Sequence, residues 1–135
     1  MAYYNDPQQD VRGSIRTTQD VVVGKRVVRA NAAGGQVATA LVSASNAITL
    51  DCSKGDVFTN TPTEATTITP INLAPGQRIT IIFLTSGTSS FTTTFGAPFK
   101  TTGTLASGTS DAKYFVVTFE SDGTNLYESS RTAAM

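Results

Sequence analysis

The clearest alternation of hydrophobic and polar residues lies toward the C-terminal part of the chain, in residues 113–121. Phe115, Val117 and Phe119 occupy every second position there, which is the period of a strand with one buried face. Asp122-Gly123 follows, and a second short run containing an aromatic residue comes next. A strand, an Asp-Gly pair and another strand predict a β-hairpin.

The register of this hairpin has two alternatives. A two-residue loop would pair Phe119 with Leu126, although it would also place Glu128 opposite an apolar residue. A three-residue loop with a bulge would pair Phe119 with Tyr127. Because neither register is clean, a contact with a neighbouring subunit is one explanation. The candidate residues for such a subunit interface are Tyr114, Val116, Leu126 and Tyr127.

Several shorter strand-like runs precede the hairpin, at residues 48–50, 57–59, 66–71, 77–85 and 90–95. Pro70 confines its run to a sheet edge or a strand end, because proline cannot donate a ladder hydrogen bond. Short strands at this spacing favour a single small all-β domain, an antiparallel sandwich or a barrel-like fold. No period of about 20–50 residues repeats along the chain, so the sequence predicts no solenoid.

The N-terminal third differs from the rest of the chain. Residues 1–20 show no hydrophobic period, residues 21–29 form one β-branched run with a bend at Gly24, and residues 30–46 suit either a loop or a short helix. We therefore divide the chain into an extended N-terminal arm with one strand, residues 1–46, and a β-sandwich core that ends in the hairpin, residues 47–135.

The charges of the arm have two interpretations. Lys25, Arg26 and Arg29 make a small basic patch on the predicted strand of the arm. Such a patch either discourages aggregation at an edge strand or docks onto an acidic surface of another protein. Both interpretations are compatible with the sequence.

Composition narrows the classes of partner. Hydrophobic residues make up 39% of the chain and charged residues only 15%, below the ~25% of typical globular domains. So few charges favour a surface that meets other protein. The net charge is zero, so no overall field attracts nucleic acid or an anionic membrane.

Because the chain also lacks a signal-peptide pattern and a long apolar run, we expect a soluble protein made in a cytoplasm.

The sequence offers little catalytic chemistry. It has no His and one Cys, which excludes a Ser-His-Asp or Cys-His constellation and an intramolecular disulfide. Cys52 is interpreted as an ordinary small residue, in a turn without the spacing of a calcium loop. Four acidic residues around the hairpin could suggest a glycosidase pair, but without a Trp platform a solvated rim explains them better. These four are Asp111, Glu120, Asp122 and Glu128. We predict no catalytic residue, metal ion or cofactor, and a protein that is not an enzyme.

The segment FVVTFESDGTNLYESSRT, residues 115–132, resembles the C-terminal end of a β domain found in structural proteins of tailed bacteriophages. That domain closes with an aromatic-rich strand, a Ser-Asp-Gly-Thr-Asn turn and a strand that ends in Ser-Arg or a similar pair. The Pro75-Gly76-Gln77 turn and the Gly/Thr-rich loop before the hairpin also resemble it, so the likeness covers residues 47–132. A Trp is common before the Tyr in that family, whereas this chain has Leu126.

The resemblance implies a virion protein. Similar β domains occur in trimeric tail fibres and spikes and in capsid decoration (cement) proteins. Because 135 residues hardly supply both the shaft and the tip of a fibre, we expect a complete cement protein that binds the outer capsid surface as a homotrimer. The alternative is a tail-fibre, baseplate or receptor-binding module that recognises host surface glycan.

The resemblance also implies partners and a location. The expected partners are the major capsid protein and further copies of the chain itself, with neither nucleic acid nor membrane bound. The protein would lie on the capsid surface of the virion after synthesis in the host cytoplasm. The candidate contacts with the capsid are the basic residues of the arm, Arg12, Arg16, Lys25, Arg26 and Arg29.

Overall fold

The computed structural model describes residues 38–135, together with the backbone of residues 21–23 and 26–28. Apart from a 3-10 turn at Cys52–Lys54, the regular elements of these residues are strands. They are β1 (Val21–Val23), β2 (Arg26–Val28), β3 (Thr39–Ala40), β4 (Ala47–Asp51), β5 (Val57–Asn60), β6 (Thr66–Ile71), β7 (Pro75–Leu84), β8 (Thr92–Phe95), β9 (Phe99–Lys100), β10 (Leu105–Ala106), β11 (Tyr114–Asp122) and β12 (Leu126–Arg131).

From β3 onwards the chain passes back and forth between two sheets. Strands β3, β5 and β7 lie side by side in parallel in one sheet, and β4, β6 and β8 do so in the other. Each pair of consecutive strands therefore makes one coil of a β-solenoid, stacked on the previous coil. Ile48 aligns with Ile68, and Ile68 with Phe95, so the coils advance by 20 (48 to 68) and then 27 (68 to 95) residues.

The C-terminal strands close the solenoid. β11 pairs antiparallel with β7, from Tyr114 opposite Leu84 to Asp122 opposite Pro75. β12 pairs antiparallel with β11 and parallel with β9, while β10 pairs antiparallel with β8. The completed sheets have six strands, in the order β3-β5-β7-β11-β12-β9, and four strands, in the order β10-β8-β6-β4.

The hydrophobic core lies between these two sheets. Ile68 of the four-stranded sheet and Ile81 and Val117 of the six-stranded sheet are fully buried. The ring centroids of Phe99 and Phe119 lie 4.8 Å apart, and the two ring planes meet at 58°. Aromatic pairs favour such tilted arrangements over face-to-face stacking. Each such buried side chain contributes about 1.5–3 kcal/mol relative to exposure, so the inter-sheet core is the main source of stability.

The all-β prediction is confirmed, but the architecture differs from the predicted antiparallel sandwich or barrel. The prediction that excluded a solenoid is wrong. Coils of unequal length hide the period, and the alternation of inward and outward residues within one strand is the same in a sandwich and in a solenoid. What distinguishes the two is parallel stacking between strands distant in sequence, which local patterning does not encode.

The predicted boundary of the core needs correction. β3 belongs to the six-stranded sheet, so the folded unit includes residues before Ala47. The single strand predicted for residues 21–29 is two strands, β1 and β2, which pair antiparallel. The described part of residues 30–46 holds β3 and irregular chain, not a helix. The other residues of the arm, namely 1–20, 24, 25 and 29–37, lie outside the described residues.

The closing hairpin has neither of the predicted registers. Phe119 pairs with Glu128, because four residues separate Ser121 from its partner Leu126, whereas the two alternatives allowed two or three. The N–H of Asp122 donates to the carbonyl oxygen of Asn125 over 3.2 Å and closes this turn. The Asp-Gly pair thus marks the turn correctly, but the partner of Phe119 lies two residues beyond the one expected for a two-residue loop and one residue beyond the one expected for a three-residue loop.

Gly123 offers a test of how this turn packs against the start of β7. Its φ is +92°, and a Cβ at this position would lie 2.7 Å from Pro75 Cγ. Gly123→Ala should therefore lower the free energy of unfolding by about 2–4 kcal/mol, through backbone strain and displacement of Pro75.

Gly87→Ala is the matched control, because its φ is +74° and nothing lies within 4 Å of an added Cβ. The strain alone should cost about 1 kcal/mol. Urea unfolding of both variants measures the difference. Equal losses would contradict the packing of the turn against Pro75.

Candidate interaction surface

Strands β7 and β11 carry a surface as well as part of the core, because alternate side chains of a strand point to opposite faces of the sheet. On the outer face, Ile82 lies opposite Val116, and Leu84 lies opposite Tyr114. Tyr114 is 46% exposed, and the other three are partly exposed. We call these four residues the outer patch. They form a contiguous apolar area that a partner protein can cover.

The other end of the same face is polar. Arg78 Nε donates to Glu120 Oε1 over 2.6 Å, across the pairing of β7 with β11. The hydroxyl of Tyr127 donates to Asp122 Oδ2 over 3.0 Å, and this bond raises the pKa of Tyr127. The charged groups at this end lose favourable hydration when they are buried, even though they pair with one another, whereas apolar side chains do not. Removing water from the outer patch therefore costs less than removing it from this end.

The fold separates the four predicted interface residues. Tyr114 and Val116 lie together in the outer patch. Tyr127 is also 46% exposed but lies at the polar end. The prediction for Leu126 is corrected, because Leu126 is fully buried in the core of its own chain and offers no surface to a partner. The alternation of β12 turns it inward beside Ser121.

Sequence reasoning missed Ile82 and Leu84. The run 77–85 is predicted as a strand, but its alternate residues are not assigned to two faces. Because Ile79, Ile81 and Phe83 are buried, Ile82 and Leu84 have to face outward. A strand that is apolar on both faces is the signal that could have identified the outer patch.

The basic residues predicted to contact a capsid are not placed by the structure. Arg26 is described by its backbone alone, within β2. The others lie outside the described residues, namely Arg12, Arg16, Lys25 and Arg29. Their role stays a prediction.

Two of the acids around the hairpin organise turns. Oδ1 of Asp122 accepts hydrogen bonds from the backbone N–H groups of Asn125 and Thr124, over 2.6 and 2.7 Å. These bonds hold the pKa of Asp122 at about 2. Oδ1 of Asp111 accepts a hydrogen bond from the N–H of Gly87 over 2.7 Å. Both carboxylates therefore have a conformational role in the chain.

Glu128 departs from the predicted solvated rim, since its side chain is only 6% exposed. A bulge opposite Thr118 and Phe119 shifts the register of β12. Glu128 and Arg131 therefore point to the same, inner side although they are three residues apart in a strand. Arg131 Nε and Nη2 donate to the two carboxylate oxygens of Glu128 over 2.8 and 3.0 Å, which is a bidentate pair.

This ion pair also holds the loop between β9 and β10. The N–H of Thr102 donates to Glu128 Oε2 over 3.0 Å, and Arg131 Nη1 donates to the carbonyl oxygen of Thr104 over 2.8 Å. The guanidinium carbon of Arg131 lies 5.5 Å from the ring centroid of Phe95, in cation–π geometry. Since Phe95 belongs to β8, the pair links the closing hairpin to the opposite sheet.

The one cysteine has the character that the sequence predicts. Cys52 is buried, and this burial, together with the nearby carboxylates of Asp51 and Asp56, raises the pKa of its thiol to about 12. A thiol of this kind stays protonated at neutral pH. It therefore packs as a small apolar side chain.

Within residues 21–23, 26–28 and 38–135, no group of three or more His, Cys, Asp or Glu side chains is placed to hold a metal ion. Over the same residues, no helix has both the length and the apolar character needed to cross a membrane. No protein-family model matches the chain, and no curated protein matches it either.

The Glu128–Arg131 pair generates a stability prediction. Glu128→Gln keeps the shape of the side chain but leaves the largely buried Arg131 without its ionic partner. We expect the free energy of unfolding to fall by about 2–4 kcal/mol.

The matched control is Glu120→Gln, in the exposed pair with Arg78. This change should cost less than about 1 kcal/mol, because solvent screens an exposed pair. Chemical denaturation at neutral pH measures both variants. Equal losses of unfolding free energy in the two variants would contradict a stabilising role of the Glu128–Arg131 pair beyond that of an exposed ion pair.

Proposed function

We propose that the chain is a structural protein of a tailed-bacteriophage virion, which decorates and cements the outer surface of the capsid. The outer patch is the observation that supports this proposal most directly, because it presents apolar side chains on a rigid sheet to another protein. The resemblance of residues 115–132 to β domains of virion proteins supports the proposal that the chain belongs to a virion.

The mechanism is burial of apolar surface between the cement protein and the major capsid protein. Each Å² of apolar surface removed from water contributes about 25 cal/mol, less the cost of ordering the partners. Because the bound protein has affinity for the assembled shell and not for separated capsid subunits, its binding stabilises the shell by mass action. No catalytic residue, cofactor, nucleic acid or membrane takes part in this mechanism.

In this proposal the protein acts as a homotrimer, and the basic residues of the arm add contacts with the shell. Among the described strands, β3 and β4 lie at the edges of their sheets. An edge strand can accept a further strand through backbone hydrogen bonds. In the proposed assembly, another copy of the chain or a capsid subunit therefore adds a strand at one of these edges.

The second candidate is a tail-fibre, baseplate or receptor-binding module that recognises host glycan. The stacked coils favour it, because a solenoid extends along one direction and leaves long lateral surfaces for binding. The two candidates differ in copy number. A cement protein covers the capsid in high copy, whereas a tail module is present in few copies, and quantitative mass spectrometry of purified virions distinguishes them.

The outer patch can be tested by substitution. The double variant Leu84→Ser/Tyr114→Ser removes apolar contact from the patch while leaving the inner face of the sheet unchanged. We expect its affinity for undecorated capsids to fall at least tenfold, which is about 1.4 kcal/mol or more, as for the loss of central contacts in an interface. Cosedimentation with capsids measures the affinity.

The matched control is Ile71→Ser, because Ile71 is 43% exposed and belongs to β6 in the opposite sheet. This variant should bind capsids as the unmodified chain does. Undiminished binding by the double variant would overturn the assignment of the outer patch. Binding to host glycan without affinity for capsids would favour the tail module.

A further inference from the structure

One edge of the solenoid is longer than the others. The six-stranded and four-stranded sheets end on four edge strands, and three of these, β3, β9 and β10, have only two residues each. The fourth, β4, has five residues, Ala47–Asp51. A short edge strand limits pairing with foreign strands, whereas a long one invites it. β4 is therefore the edge at which the first coil most needs a cap.

The outer edge of β4 carries backbone groups that can accept a strand. In the parallel ladder with β6, alternate residues turn their N–H and C=O groups toward β6, beginning with the carbonyl oxygen of Asn46. Ala47, Thr49 and Asp51 therefore turn theirs outward. Ala47 exchanges two hydrogen bonds with the turn before β4. Within residues 38–135, no hydrogen bond reaches the N–H or C=O of Thr49 or the N–H of Asp51.

The β1–β2 hairpin lies close to this edge and has matching groups. Cα atoms of β2 lie within 8 Å of those of the 3-10 turn that directly follows β4, yet the hairpin forms a two-stranded sheet of its own. The pairing of Val23 with Arg26 encloses a two-residue loop, so these two residues bond to each other, and the next pair, Val22 with Val27, does not. The N–H and C=O of Val27 therefore point away from β1, toward any strand that lies beside β2.

The spacing along the chain fits a further parallel strand of the same solenoid. Residues that pair between consecutive coils are separated by 19 (39 to 58) to 27 (68 to 95) positions. Val27 precedes Leu50 by 23 positions (27 to 50), which lies within this range. Residues 29–38 join β2 to β3, and ten residues span up to about 33–36 Å when extended. The hairpin can therefore reach the edge of β4 in its own chain.

We propose that the β1–β2 hairpin caps the first coil of its own chain, with β2 added to β4 as a parallel strand. Val27 then lies opposite Leu50. Its N–H donates to the carbonyl oxygen of Thr49, and its carbonyl oxygen accepts from the N–H of Asp51. The four-stranded sheet becomes six-stranded, and the two-residue strand β3 is left as the open edge at this end. The inference does not depend on the proposed virion function.

The test is amide hydrogen exchange of the full chain followed by NMR, with the N–H of Asp51 as the reporter. Val27→Pro removes the N–H that bonds to β4 without removing a hydrogen bond between β1 and β2. We expect exchange of the Asp51 amide to become at least about tenfold faster, because its acceptor leaves. Exchange of Ile81, which is fully buried in β7, should stay unchanged.

Val22→Pro is the matched control, because Val22 pairs with Val27 in the hairpin and its N–H points away from β2. It should leave the exchange of Asp51 unchanged. The proposal is overturned if Val27→Pro does not speed this exchange, or if the two prolines have equal effects. It is also overturned if the protection of Asp51 falls on dilution of the unmodified chain, since the added strand would then come from a second copy.

Discussion

The antiparallel ladder between β7 and β11 holds the stacked coils and the closing hairpin together. It joins strands that are distant in sequence, and it continues the parallel stack of β3, β5 and β7 into the closing hairpin. Its inward residues, such as Ile81 and Val117, meet in the core and are fully buried. Its outward residues form the outer patch. One strand pair thus supplies both core stability and the candidate surface.

An ion pair in the closing hairpin owes its geometry to a bulge in β12. The bulge in β12 brings Glu128 and Arg131 to the same face, and their pair holds the loop between β9 and β10. A regular strand would direct them to opposite faces, so the loop would lose its anchor. The bulge therefore has a structural role, because it places the pair whose Arg131 contacts Phe95 of the four-stranded sheet.

The sequence predicts the parts of this fold that depend on local chemistry. The strands around Ile48, Ile68 and Ile81 and the turn at Asp122 are encoded by alternation and by turn residues. The parallel stacking of coils, the register of the hairpin and the inward position of Glu128 depend on contacts between distant segments. These features escaped prediction. Half of the outer patch was also recognisable, since Tyr114 and Val116 alternate with buried residues, whereas Ile82 and Leu84 were hidden within a run that is apolar on both faces.

If the chain is a cement protein, its outer patch is covered in the assembled virion. Hydroxyl-radical footprinting of the free protein and of purified virions tests it directly, with Tyr114 and Leu84 as reporters and Ile71 of the opposite sheet as the reference. Oxidation of both reporters should then fall strongly in the virion, relative to Ile71. Oxidation of Tyr114 and Leu84 that stays unchanged on assembly, in virions that contain the protein, would contradict it.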